Sequence, residues 1–174
     1  MRRTQNDPLP KSKRACRTDE VASAFAARYR DYQYRFVEFF IEHISDVSRG
    51  LKGDLQAMLV LAVIGQALLH GTRTAKEDGL DPANLPPEKI SINASRIADI
   101  TGIPRETVRR KLALLEDWGW IRRNADGSCC LAFENGETIA KRVLAHIDAK
   151  AIRRVARLFT DLEALLDEPG RPKR

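Results

Sequence analysis

The segment 104–118, PRETVRRKLALLEDW, sets three arginines and a glutamate at spacings that share one helix face. On a wheel of about 100° per residue, Val108, Leu112 and Leu115 cluster on one side, with Pro104 beside them. Glu106, Arg109, Arg110 and Ala113 fall on the far side, and Arg105 flanks them. An arginine there can donate two hydrogen bonds to guanine O6 and N7, and a glutamate can accept one from cytosine N4. The first residues of a helix laid in a major groove are the ones that meet base edges. Arg105, Glu106, Arg109 and Arg110 are therefore the candidates for base contact. Asn93, Thr107, Lys111, Arg122 and Arg123 surround them as candidates for phosphate contact, together with free amides at helix starts. The alternative for these charges is simple solvation, with Glu106 and Arg110 pairing at i, i+4.

Local signals frame that segment on both sides. Asn93 is a good N-cap for a helix over 94–101. Gly102 suits the turn that ends it, and Pro104 presets φ for the first turn of the next helix. After Gly119, residues 120–123 and 128–133 read as two strands about the 124–127 turn, where Asp-Gly is the strongest hairpin signal. Residues 90–92 are a further short strand candidate. Helix, tight turn, helix and hairpin in that order predict a winged helix over 90–133, with 104–118 as its recognition helix. The hairpin tip carries Asp126 and no basic side chain, which argues against an arginine reaching a minor groove from it.

The flanks read as helical support. In 19–49, Val21, Phe25, Tyr29, Tyr32, Phe36, Phe39, Phe40, Ile44 and Val47 recur at steps of three or four, which predicts one long helix. Its aromatic stripe exceeds what a small winged helix can cover, so it packs in the core of its own chain or on a second subunit. Residues 55–76 form a second helix, apolar nearly all round from 58 to 69, which must be surrounded. The apolar run 57–69 falls short of the roughly 20 residues of a membrane span. Residues 78–89 make a loop, with Pro86-Pro87 blocking helix from Leu85 on. Residues 137–147 and 148–166 read as two C-terminal helices. The predicted layout is a basic disordered tail (1–18), an N-terminal helical support and dimerisation region (19–89), the winged helix (90–133), C-terminal helices (134–168) and a short tail (169–174). The fold class is mainly α with a small β-hairpin wing.

Composition points the same way. The net charge is +6 and the pI about 9.5, favouring a polyanion or a membrane surface over an acidic ligand. Residues 1–18 carry six basic side chains against one acidic, and 103–123 carry six against three. Three cysteines, Cys16, Cys129 and Cys130, offer neither a disulfide framework nor CxxC metal spacing, and a reducing cytoplasm is the simple reading. Cys129 and Cys130 invite a redox switch, but neighbours on a strand alternate faces, so one buried and one exposed thiol are expected, in an inert role. No Gly-rich phosphate loop, metal constellation or nucleophile–base pair is present in the sequence, which argues against an enzyme; no cofactor or metal is implied.

Residues 93–121, NASRIADITGIPRETVRRKLALLEDWGWI, resemble the helix-turn-helix of the catabolite-activator (Crp/Fnr) family. The shared elements are Ile97-Ala98-Asp99, the Gly102 turn, the run from Arg105 to Arg110, Leu112, Leu115-Glu116 and Gly119-Trp120-Ile121. The resemblance implies base contacts by Arg105, Glu106 and Arg110; Arg109 stands where that family has a small residue. It covers about 30 residues of 174, and the family's β-roll has no counterpart here, so no effector carries over. The order of elements is similar to the multiple-antibiotic-resistance regulator (MarR) family, in which outer helices form a dimer; that family's Asp-x-Arg wing tip is missing. These resemblances imply a homodimeric transcriptional regulator on a palindromic double-stranded DNA site. A plasmid or phage replication or partition protein is a second DNA-binding reading, and a winged-helix protein-interaction module a third. An unknown small-molecule effector between the long helices and the winged helix is compatible with the layout, although no residue marks its pocket.

Overall fold

The computed structural model describes residues 11–79, 81 and 85–167. The chain is mainly helical with a small antiparallel hairpin. Its elements in order are α1 (Lys11–Ala27), α2 (Tyr29–Gly50), α3 (Leu55–Glu77), α4 (Pro87–Ile90), α5 (Ala94–Thr101), α6 (Arg105–Asp117), β1 (Ile121–Arg123), β2 (Cys129–Leu131), β3 (Phe133–Glu134), β4 (Glu137–Thr138) and α7 (Ile139–Asp167). They divide into two compact units. Ser45–Ala149 forms one, and the described parts of 1–44 and 150–174 form the other.

Ser45–Ala149 has a continuous apolar core. α3 contributes Val60, Leu61 and Ile64, α5 contributes Ile97, and α6 contributes Val108, Leu112 and Leu115. Trp120, Ile121, Cys129 and Leu131 close it from the hairpin side. Each large side chain taken fully out of water there contributes about 1.5–3 kcal/mol. α3 packs on α4, α5, α6 and β2, so the helix assigned from sequence to the N-terminal region shares its core with the segment 90–133. β1 and β2 pair antiparallel, Ile121 opposite Leu131 and Arg123 opposite Cys129. Ile92 bridges β2 from the other side, its amide donating to the Cys129 carbonyl at 3.0 Å and its carbonyl accepting from the Cys129 amide at 2.9 Å.

The locally signalled elements lie where expected. Asn93 caps α5, its side-chain oxygen accepting from the Arg96 amide at 2.8 Å. Gly102 ends that helix at φ 70°, a left-handed conformation that costs a residue with a Cβ roughly 1–2 kcal/mol. Pro104 precedes α6 as its N-cap.

Several expectations need correction. The tail predicted over 1–18 is helix from Lys11 on, within α1; residues 1–10 lie outside the described residues, as does the tail 169–174. The single helix predicted over 19–49 breaks at Arg28. The Arg28 amide is shared between the Ala24 and Phe25 carbonyls, and the Asp31 amide donates back to Arg28, a 3₁₀-like tightening to which an apolar stripe is blind. The Phe25 and Tyr32 rings stack across it with centroids 5.3 Å apart. α3 is not surrounded: one face is buried, while Leu55, Leu59 and Leu69 are exposed. It is also longer than the apolar run, 23 residues, and by length and composition alone is long and apolar enough to cross a membrane.

Pro87 starts the short helix α4 rather than blocking helix, because the N1 position needs no amide donor. Of the strand predicted over 90–92, only Ile92 pairs. The strand predicted over 128–133 is split: β2 ends at Leu131, and Phe133 pairs with Thr138 in a second hairpin. Its turn is Asn135-Gly136, both at positive φ, the residue pair that favours such two-residue turns. The two C-terminal helices are one, the 29-residue α7. Its middle, Asp148-Ala149-Lys150-Ala151, holds no Gly or Pro and two of the best helix formers, so nothing interrupts it.

Candidate functional site

α6 turns the face carrying Val108, Leu112 and Leu115 into the core and leaves Arg105, Glu106, Arg109 and Arg110 exposed. Among the described residues, Arg105 and Arg110 make no side-chain hydrogen bond or ion pair. Glu106 pairs with Arg109 at 3.3 Å, one residue short of the i, i+4 partner Arg110. Such solvated pairs contribute at most about 0.5 kcal/mol and open readily. Pro104 offers no side-chain cap to the first turn, so the amides of Arg105, Glu106 and Thr107 stay open donors at the positive end of the helix dipole.

The surrounding candidates sort into three situations. Arg122 is exposed on β1. Asn93 uses its side-chain oxygen as the α5 cap, and Arg123 holds Glu116 at 3.2 Å, tying β1 to the C-terminal half of α6. Thr107 is half-buried. Lys111 is engaged: its ammonium donates to Asp54 Oδ2 at 2.6 Å, with only 18% of the side chain exposed. The other Asp54 oxygen accepts from the Ala57 amide at 2.9 Å as the N-cap of α3. Burial pushes the Asp54 carboxyl up, but the Lys111 ammonium and the Ala57 amide outweigh it and hold the group below the usual carboxylate range. One carboxylate therefore starts α3 and anchors α6. Beside it Lys52 lies 5.5 Å from the centroid of the Trp118 ring, which is packed edge-on to Trp120 with the ring centroids 5.0 Å apart.

The hairpin tip is held by its own side chains. Asp126 accepts from the Ser128 amide at 2.9 Å and the Ser128 hydroxyl at 2.6 Å. Asn124 donates to that hydroxyl at 2.9 Å, and the Ser91 hydroxyl lies 3.1 Å from it. The Ser128 hydroxyl and amide together lower the Asp126 carboxyl below its ordinary range. Sequence reading took Asp126 as an obstacle at the tip and missed its anchoring part, although Asp two residues before Ser is an Asx-turn signal. It also missed Asp54, which only Gly53-Asp54-Leu55 hinted at as a cap.

Both hairpin thiols are buried, Cys130 at 1% exposure, against the expected alternation. Cys129 faces the core between Arg123 and Ile92, while Asn124 covers Cys130, its Oδ1 lying 3.9 Å from the sulfur. Burial pushes the Cys129 thiol up, which keeps it protonated and unreactive at neutral pH. An open groove of about 390 Å³ lies between α3 and the second hairpin, walled by Leu68, Leu131 and Phe133. The Lys141 ammonium at its rim is paired with Glu137 at 2.9 Å.

Comparison with protein-family models, with curated proteins and with solved structures finds no match to this chain.

Proposed function

We propose that this chain is a sequence-specific DNA-binding regulator of transcription, a winged helix-turn-helix protein that acts as a homodimer on a palindromic site. α5, the Gly102 turn and α6 form the helix-turn-helix, and the β1–β2 hairpin is the wing. The observation that carries this reading is the face of α6, where Arg105 and Arg110 stand free and exposed opposite the buried Val108, Leu112 and Leu115. A helix of this length, about 20 Å, fits a major groove about 12 Å wide. Arg105 and Arg110 read bases, with Glu106 and Arg109 joining once their surface pair opens. The open amides of the first turn, Asn93 and Arg122 meet phosphates. Lys111 and Arg123 serve mainly by fixing α6 against Asp54 and β1, which narrows the phosphate set first drawn from sequence.

The test is selection of bound sequences from random duplex DNA, followed by affinity measurements on the selected site. A two-fold symmetric consensus is expected. Arg105→Ala and Arg110→Ala should each cost about 1–3 kcal/mol, or roughly 5- to 150-fold, on the selected site. They should leave binding to unrelated duplexes far less changed. Parent-like affinity in both variants would overturn the assigned face.

A further inference from the structure

We propose that Lys52, at the corner between α2 and α3, is a DNA-phosphate contact whose ammonium meets the backbone strand running along the Lys111 side of α6. The proposal rests on the DNA reading of the preceding section and adds to it a residue outside the helix-turn-helix and the wing.

The corner is built as a helix end that ordinarily takes glycine. α2 closes with the Lys52 amide donating to the Arg49 carbonyl at 3.3 Å and the Gly53 amide donating to the Ser48 carbonyl at 2.7 Å, the paired bonds of a Schellman cap. Lys52 fills the left-handed position of that cap, at φ 53°, where a Cβ is strained and glycine is the usual occupant. Its side chain is exposed. No acidic group neutralises it among the described residues. Instead the ammonium stands 5.5 Å from the centroid of the Trp118 ring, an attraction that aims the charge without cancelling it. A lysine held against its backbone preference, with its charge left over, points to a use outside the fold.

The two flanks of α6 show what that use is. At about 100° per residue, the exposed arc of Glu106 and Arg110 lies between Glu116 on one side and Lys111 with Trp118 on the other. Glu116 holds Arg123 of β1 at 3.2 Å, and Lys111 holds Asp54 at 2.6 Å. β1 and the α2–α3 corner therefore border α6 on opposite sides. A helix about 10–12 Å across fills a major groove about 12 Å wide, so a phosphate strand runs along each flank. Arg122 is the exposed cation on the β1 side. On the other side Lys111 is engaged by Asp54, and the same carboxylate takes the Ala57 amide, so neither Lys111 nor the start of α3 is left for a phosphate. Lys52 supplies the charge there. An open cleft of about 510 Å³, lined by Lys52, Gly53, Gln56 and Lys111 among others, leaves room for the strand.

The test compares the full-length parent with Lys52→Gly, Lys52→Gln and Lys52→Arg. Each is titrated over a range of salt against the selected duplex and an unrelated one, with thermal melting alongside. Lys52→Gly should melt no lower than the parent, because glycine relieves the left-handed position. It should nevertheless bind on the order of tenfold more weakly for each copy bound at about 0.1 M salt, with a salt slope shallower by about 0.9 for each copy. The loss should be alike on both duplexes, as for a phosphate contact, whereas Arg105→Ala should lose mainly on the selected site. Lys52→Arg should restore affinity and slope, and Lys52→Gln should not. If Lys52→Gly is unstable, the Gln and Arg variants, which share the parent's backbone strain, decide through the slope alone. A Lys52→Gln slope equal to the parent's would overturn the proposal and leave the DNA reading standing. A parent that binds no duplex would overturn both.

Discussion

Asp126 shows how one residue can look wrong for a role and be needed for the structure around it. At the hairpin tip its negative charge opposes contact with DNA, yet it gathers the Ser128 amide and hydroxyl within 2.9 Å. Its carboxyl is lowered by those bonds, so the folded form favours the ionised state. The stability this contributes is fully present above the unfolded carboxylate range, near pH 4. It is lost as pH falls through the folded value. The melting-temperature gap between the parent and Asp126→Ala should therefore be widest at pH 6–7 and narrow towards pH 3; a gap constant with pH would show that the anchor does not depend on charge. The exposed arginines were legible because exposure follows from helical period alone: once Val108, Leu112 and Leu115 point inward, Arg110 points out. Lys111 was not, because its partner Asp54 is 57 residues away and nothing in the local sequence announces that the two will meet.

The same division runs through the elements. α5, the Gly102 turn and α6 were read to within a residue, since a cap, a left-handed glycine and a helix-starting proline act on their immediate neighbours. The β1–β2 turn followed from Asp126-Gly127. What escaped were features decided by hydrogen-bond detail or by the lack of a stop: the tightening at Arg28, the helix begun by Pro87, and the unbroken α7. Asp54 joins two elements at once and gives the clearest test at this scale. Removing it should cost α3 its cap, about 1 kcal/mol, and leave the mostly buried Lys111 ammonium without its partner. Asp54→Ala should thus lower the urea midpoint more than Lys111→Met, which removes only the ion pair and keeps the apolar stem. The double variant should be less destabilised than the sum of the two, by a coupling of about 0.5–1 kcal/mol. Strict additivity would mean that the 2.6 Å contact contributes nothing to holding α6.

For the whole molecule, a net charge of +6 is modest for a chain proposed to hold a polyanion, so the placement of charge matters more than its sum. Around α6 and β1, Arg105, Arg110 and Arg122 are exposed, while Lys111 and Arg123 are neutralised within the chain. On the proposed reading each protomer brings few free cations and open amides to a duplex, so strong binding would come from two protomers acting together. Counterion release makes this measurable: the logarithm of affinity falls against the logarithm of salt with a slope of about −0.9 per phosphate neutralised. If each protomer neutralises about four phosphates, a dimer on both half-sites should show a slope near −7. The same protein on a duplex carrying a single half-site should show about half of that. Equal slopes would mean that the two copies do not share one site, whatever their state free in solution. A halved slope with the same bases read in each half-site would separate two contributions: α6 would set which bases are read, and pairing of the copies would set how many times they are read at once.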